Sequence, residues 1–481
     1  DLDVYGTCPG CDAFGYRDDD GDPWAGDYDR DGDLVIENQG GSVNLKWTGE
    51  DLTFTSITAF ETFERFYEED TDVSPAKIVH NTYEAEIDQF TQEFRLGGES
   101  GGLNWLAGAY YYDQKTDGAF QIDASGIDYI IGDANYDQET KSWSLFGQLE
   151  YALSDYWSVL AGLRYTDEER ELDYLSVDLN GLLPPEANTM FAYDDDISND
   201  NVTGKVELDW RPTDGVLIYG SVALGVKSAG FNTGVLDETG LFGMTVRDDV
   251  PYDEEELTSY EVGVKTDLFG GLSRLNASAF YYDYSDFQAF AFVNLNQVIF
   301  NTDATISGME LEFVTNPVEG LDIMLGASVL DTEAKDIPLN DGSGMSRDRE
   351  MTLSPEFALN GVVRYEWEAL SGFVATQLDF KYQDETFFDI QNHPISAIDS
   401  YAVWNARISY RTSDDKWSLT GFVNNVADEE YRAYSFDVTN LFGFNQVAYG
   451  RPRWGGVSLR YNLRGTGYRH AGRAPSSGTG P

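Results

Sequence analysis

Runs of alternating apolar and polar residues, links between them that switch strictly from short to long, and a composition rich in aromatics but poor in proline together predict an all-β fold. The form they predict is a transmembrane antiparallel β-barrel with short periplasmic turns on one rim and long extracellular loops on the other. In GFVATQLDFKYQ, Val374, Thr376, Leu378, Phe380 and Tyr382 alternate with Ala375, Gln377, Asp379, Lys381 and Gln383. AVWNARISYR sets Trp404, Ala406, Ile408 and Tyr410 against Asn405, Arg407, Ser409 and Arg411, and VTGKVELDWR sets Val202, Val206, Leu208 and Trp210 against Thr203, Lys205, Glu207, Asp209 and Arg211. Soluble sandwich strands usually run about 5 or 6 residues. These runs reach the roughly 10 that a tilted strand needs to cross a bilayer.

In chain order the predicted strands are 41–48, 52–62, 89–97, 103–113, 141–152, 156–167, 201–211, 216–228, 256–268, 272–284, 305–315, 320–331, 356–368, 372–384, 400–411, 416–426 and 446–463. The short links include TGED, ALSD, RPTDG, LFGG, NPVEG, EALSG and TSDD, each carrying the Gly, Pro, Asp or Asn that a tight turn requires. The long links are 63–88, 114–140, 168–200, 229–255, 285–304, 332–355, 385–399 and 427–445. Trp105, Trp157, Trp210, Trp367, Trp417 and Trp454 fall near strand ends on the short-turn side, where they would form an interfacial girdle. A soluble β-protein could bury such tryptophans, but it does not predict long loops on one rim only.

Composition agrees with this reading. The 481 residues are 14% aromatic and contain 48 Gly and 14 Pro, a mixture that suits strands and tight turns. No stretch of 18 apolar residues could span a membrane as a helix. With 31 basic residues against 85 acidic ones, the net charge of −54 excludes electrostatic binding of nucleic acid and leaves cations, metal chelates or neutral molecules as partners. Carboxylates this numerous meet by chance, so no Asp/Glu pair argues for acid–base catalysis. With three His and no Ser/His/Asp, HExxH or Walker-type pattern, the chain does not read as an enzyme.

Residues 1–40 read as an acidic extracellular loop segment, with twelve Asp/Glu against Arg17 and Arg30. Within it, DYDRDGDLVIEN places Asp27, Asp29, Asp31 and Asp33 at alternate positions beside Gly32, a spacing that can gather oxygens around calcium. An EF-hand needs a bidentate Glu at the twelfth position, which is Asn38, so a solvated acidic loop is the simpler reading and a loop-ordering Ca2+ the alternative. Cys8 and Cys11, the two cysteines, form CPGC, which reads as a small disulfide staple in an oxidising location, with redox chemistry or half a zinc site less favoured. The barrel portion is 41–463. Residues 464–481 read as a disordered basic tail, either native or a remnant of cloning or a shifted frame. No signal peptide opens the chain, and an odd count of about seventeen strands predicts that earlier strands precede Asp1.

An ordered series of segments carries a family resemblance. LGVKSAGFN (224–232), ELTSYEVGVKTDLF, LNASAFYYDYSDFQ, NTDATISGMELEF, SYAVWNARISYR, GFVNNVADEEY and YGRPRWGGVSLRYNL resemble consecutive segments of TonB-dependent outer-membrane receptors. The resemblance implies an outer-membrane barrel of about 22 strands occluded by an N-terminal plug. It also implies import of scarce bulky solutes, most often ferric siderophores, driven by the TonB complex acting through an N-terminal region absent here. Cobalamin, haem and oligosaccharides are alternative cargoes, and a passive plugless porin is the alternative mechanism. Outer-membrane lipid and lipopolysaccharide would surround a monomeric barrel, and no resident cofactor is implied.

On the polar strand face, Arg164, Arg364 and Arg407 are candidates for substrate contact, as are Tyr282, Phe287, Phe290 and Phe292 near the 285–304 loop, against the blander reading of solvated wall and loop packing. The segment Lys227, Ser228, Gly230, Phe231 and Asn232 is the family signature at a strand-to-loop transition, read as a fold element of the outer rim or as part of the ligand mouth.

Overall fold

The computed structural model describes residues 11–12, 14–19, 21–129, 131–181, 188–237, 247–293, 296–339, 344–437, 439 and 445–463. Its long strands are β1 (Asp33–Thr48), β2 (Leu52–Asp70), β3 (His80–Ser100), β4 (Leu103–Asp123), β5 (Ile131–Ala152), β6 (Trp157–Asp178), β7 (Thr189–Thr213), β8 (Val216–Lys227), β9 (Glu255–Leu268), β10 (Ser273–Val293), β11 (Asn296–Thr315), β12 (Leu321–Pro338), β13 (Phe357–Ala369), β14 (Gly372–Gln383), β15 (Tyr401–Thr412), β16 (Trp417–Asn424) and β17 (Trp454–Tyr461). All lie in one antiparallel sheet, each paired with its sequence neighbours, and the short segment Ser346–Arg349 adds to the outer end of β12. Among the described residues, β1 pairs only with β2 and β17 only with β16.

Alternation sorts side chains to two faces because successive Cβ atoms point to opposite sides of a strand. One face is an apolar band with Leu163 68%, Val457 76% and Leu459 65% exposed, which water would not tolerate across so many strands but lipid does. The other face carries ion pairs between residues two apart on one strand, including Glu93–Arg95, Lys205–Glu207 and Asp209–Arg211. This is the lumen wall. On the short-turn rim Trp157 and Trp210 are register partners with stacked rings 5.7 Å apart, part of the expected girdle. Trp454 departs from it: its partner is Asn424, so it lies at the long-loop end of β17.

The strands outrun the sequence prediction on the long-loop side. β2 to β7 are 19 to 25 residues long, about twice what a bilayer requires, so most of the predicted loops 63–88, 114–140 and 168–200 is strand. Above the membrane band the polarity of the faces inverts. Outward positions of β4 become Asp113, Lys115 and Asp117, while inward Phe120 and Ile122 are buried. They join Ile78, Val79, Tyr174, Phe191, Phe231, Leu236 and Phe436 in a hydrophobic core formed by strand extensions and loops at the barrel mouth.

Two boundaries are corrected. β1 starts at Asp33, not at 41, so the second half of the calcium-like stretch is extended strand. The predicted final strand 446–463 is two segments, Asn445–Tyr449 pairing with Arg432–Asp437 above the barrel and then β17, separated at Gly450–Arg453. Residues 464–481 lie outside the described residues.

Candidate functional site

The lumen wall and the folded mouth above it are the surfaces a permeating solute would meet. On the wall, Arg364 lies 3.2 Å from Asp322 and also pairs with Glu366, and Arg407 lies 3.4 Å from Asp379. Register places Arg364, Gln377 and Arg407 side by side across β13, β14 and β15, so these two candidates share one patch. Arg164 stands apart on β6, its guanidinium over Tyr110 (5.5 Å) and Phe146 (5.7 Å), with Nε donating to Thr166 Oγ1 at 3.2 Å. Tyr282 stacks on Phe280 at 4.7 Å along the lumen face of β10. A register shift between Tyr284 and Phe287 turns Phe287 edge-on to Tyr284 at 5.7 Å, where it packs on a second buried cluster. Phe290 lies between buried Ala289 and Ala291 and is 40% exposed on the opposite side. The six candidates therefore do not converge on one point. The side chain of Phe292 lies outside the described residues.

The signature segment is built into the outer rim. Gly230–Phe231 pairs with Pro251–Tyr252, and Phe231 enters the mouth core. A Cβ on Gly230 would come within 2.3 Å of Tyr252 Oη and 2.7 Å of Arg170 Nη1, so a larger residue there requires the ends of those two side chains to shift. Asn232 Nδ2 donates to the Ile299 carbonyl (2.9 Å) and the Asp249 carbonyl (3.2 Å), while Ile299 N donates back to Asn232 Oδ1 (2.8 Å). Gln288 Nε2 donates to the Ser228 carbonyl at 2.8 Å, and Lys227 remains exposed opposite Glu255. These contacts favour the structural reading of the segment.

In the N-terminal segment Cys11 is buried and disulfide-bonded, while Cys8 lies outside the described residues. Asp27 accepts a bond from Tyr16 Oη at 3.3 Å, and Asp31 and Asp33 are exposed, Asp33 already in strand register with Glu68. Among the described residues, Asp29 is the one of the four aspartates that joins a group with metal-ligand geometry: Asp29, Asp70 and His80 offer ligand atoms all within 4.8 Å of one another. Its 2.7 Å contact with His80 Nε2 and the 3.2 Å bond from its own N–H to Asp70 Oδ2 hold the segment against the start of β3. Burial, with the neighbouring Asp72 carboxylate adding to it, pushes Asp70 up to about 7. Asp389, His393 and Asp437 form a second such group. Both triads suit a divalent cation by donor type. They also satisfy themselves as hydrogen-bonded clasps. Nothing in the sequence linked His80 to Asp29, because the contact depends on how the 71–79 link folds back.

Sequence reasoning also missed a ring stack on the lumen side of the outer extensions. Tyr67 and Tyr83 stack at 5.7 Å, Tyr83 and Phe120 at 4.4 Å, and Arg65 lies 5.5 Å from the Tyr67 ring and 6.0 Å from that of Tyr83. Arg65, Tyr67 and Tyr83 fall in the predicted loop 63–88 and Phe120 in the predicted loop 114–140. Only the continued period of two would have revealed them.

Comparison with known proteins places this geometry. The family described as TonB dependent receptor-like, beta-barrel matches residues 3–426. The pesticin receptor of Yersinia pestis is 21% identical over 402 residues, covering 82% of this chain and 54% of that protein. The probable TonB-dependent siderophore receptor PiuA of Acinetobacter baumannii is 21% identical over 398 residues, covering 74% and 51%. The chain thus spans about half the length of the curated relatives it matches. Among solved structures, the ferric yersiniabactin uptake receptor FyuA from Yersinia pestis superimposes with TM-score 0.74 at 18% identity over 89% of this chain and 61% of that one. The siderophore receptor PiuA from Acinetobacter baumannii gives 0.70 at 19%, over 89% and 64%.

Proposed function

The chain belongs to the TonB-dependent receptor β-barrel family, a family of outer-membrane transport receptors rather than enzymes, and from that premise we propose that it is the barrel portion of an importer of iron complexes, most specifically ferric siderophores. The observation that carries this reading is the polar, ion-paired lumen wall beneath a mouth whose loops fold onto a buried core. A passive diffusion pore has no use for a hydrophobic core at its entrance, whereas a receptor needs ordered outer elements to recognise a ligand. The names of the similar proteins, a ferric yersiniabactin uptake receptor and siderophore receptors, support the same cargo class. On this reading the whole protein takes energy from the TonB complex, works as a monomer among lipopolysaccharide, and binds its metal chelate from outside. Calcium ordering of the N-terminal segment through Asp29 and Asp70 is a further part of the proposal.

The test is uptake of radioactive iron by iron-starved cells that express the full-length gene and lack other receptors. Uptake that disappears when TonB is deleted supports the proposal. TonB-independent leakage, or ion conductance in planar bilayers, would favour the passive pore. Competition by cobalamin, haem or oligosaccharide without effect of iron chelates would replace the cargo.

A further inference from the structure

Cations are scarce in this chain, 31 Lys and Arg against 85 Asp and Glu, and most lumen arginines have a carboxylate partner, as in Arg95–Glu93, Arg170–Glu168, Arg364–Glu366 and Arg407–Asp379. Arg65 is different. It is exposed on the lumen face of β2, and among the described residues its contacts are the Tyr67 and Tyr83 rings, with no ion pair. Its register partners are apolar, Ile36 on β1 and Ala85 on β3. The carboxylates at the margins of this patch are already engaged, Glu61 by Asn38 Nδ2 (2.7 Å) and Glu69 by Tyr67 Oη (2.5 Å). The acids at the same level, Glu64 and Glu86, sit on the opposite face of the sheet, as alternation requires. A guanidinium lying over aromatic rings keeps its N–H edge free for an anion while the rings fix its orientation. The rings themselves are fixed, because Phe120 and Tyr83 pack against the mouth core.

We propose that Arg65, seated on the Tyr67–Tyr83–Phe120 stack, is the anchoring residue for an anionic metal chelate that presents carboxylate, phenolate or catecholate oxygens to the guanidinium and a flat apolar surface to the rings. This rests on the receptor reading and narrows its substrate class to complexes of net negative charge.

The experiment is equilibrium binding by the purified full-length receptor, with an anionic ferric tris-catecholate and a neutral ferric tris-hydroxamate as probes. Wild type, Arg65→Gln and Arg65→Lys are compared, with β-sheet circular dichroism as the check of folding. The wild type is expected to prefer the anionic probe, with affinity that falls as salt rises. Arg65→Gln is expected to weaken that probe about 10- to 100-fold, Arg65→Lys less, and neither to change the neutral probe. The inference is overturned if Arg65→Gln leaves the anionic probe within about twofold, weakens both probes alike, or if the wild type prefers the neutral one. It also fails, with the receptor reading intact, if the wild type binds neither probe while cells take up other iron complexes in a TonB-dependent way. Absence of any TonB-dependent iron uptake removes both.

Discussion

Asp117 on β4 and Asp137 on β5 are direct cross-strand partners, and they stand in the middle of a row. Glu37, Glu64, Glu86, Asp117, Asp137, Asp173 and Asp194 follow one another in register across β1 to β7. Like charges facing each other across a sheet are destabilising. The row persists because it lies on the outward face above the apolar band, where water and counterions screen it.

Replacing Asp137 with Asn should therefore stabilise the protein. Relief from the Asp117 and Asp173 carboxylates is worth about 0.5 kcal/mol at low ionic strength. Thermal unfolding in detergent should show a higher midpoint for the variant at low salt and a shrinking difference as salt rises. A gain that does not respond to salt would mean that charge repulsion is not its source.

The signature segment yields the opposite sign. Asn232→Ala removes both donations from Nδ2 and leaves Ile299 N without its acceptor, at a cost of about 1–3 kcal/mol concentrated in the outer rim. Hydrogen exchange should quicken at Ile299 and its neighbours while β13 to β16 keep wild-type protection. Gly230→Ala should loosen the same rim by a different route, because its Cβ displaces the ends of the Tyr252 and Arg170 side chains.

The contrast between these sites explains how far the sequence could be read. Strands such as β14 and β15 were legible because lipid on one side and a polar lumen on the other impose the strongest alternation. Outer extensions such as 114–123 keep the period of two but exchange its faces: Asp113, Lys115 and Asp117 meet water while Thr116, Phe120 and Ile122 turn inward to the core. Asp-rich and Tyr-rich stretches of that kind look like loops when the apolar face is expected to point outward. Gly230 and Asn232 were recognisable as a signature, yet their role depends on Tyr252, Arg170 and Ile299, which are distant in sequence and meet them only through the fold. Arg164, Arg364 and Arg407 were correctly sorted to the polar face, but alternation fixes a face and not a neighbourhood, so it could not show that only the last two share a patch.

A pH effect is expected at the mouth. The hydrogen bond with Asp437 raises His393 above its ordinary value of 6.5, and although burial pushes Asp437 up, bonds from His393 and Thr439 outweigh it and hold it below 3.8. A raised histidine contributes fully below 6.5 and loses its contribution as pH rises through its folded value, whereas a depressed aspartate contributes above 3.8 and fails as pH falls through its own. The clasp between 386–398 and Arg432–Asp437 should accordingly be tightest between about pH 4 and pH 6.5. Hydrogen exchange in Arg432–Asp437, corrected for intrinsic rates, should be slower at about pH 5.5 than at about pH 8.5, and His393→Ala should abolish the difference. An unchanged difference in that variant would assign the pH response to another group.

The N-terminal segment depends on a similar contact with a different readout. Asp29 is joined to His80 Nε2 at 2.7 Å, its N–H donates to Asp70 Oδ2 (3.2 Å), and Arg30 lies 3.5 Å from Glu68, so residues just before β1 are fastened to the ends of β2 and β3. Removing the imidazole with His80→Ala leaves Asp29 and Asp70 facing each other without the group between them. Proteolysis at Arg30 should accelerate several-fold in the full-length protein, while the membrane-embedded strands, whose stability does not involve His80, stay resistant. Calcium at about 1 mM supplies the competing outcome, since oxygen donors bind that ion and imidazole does not favour it. If Asp29 and Asp70 hold calcium, the ion should slow cleavage of the wild type and restore protection in His80→Ala. If the contact is purely a protein clasp, calcium should change neither rate, and only His80→Gln, which can still donate to Asp29, should recover part of the resistance.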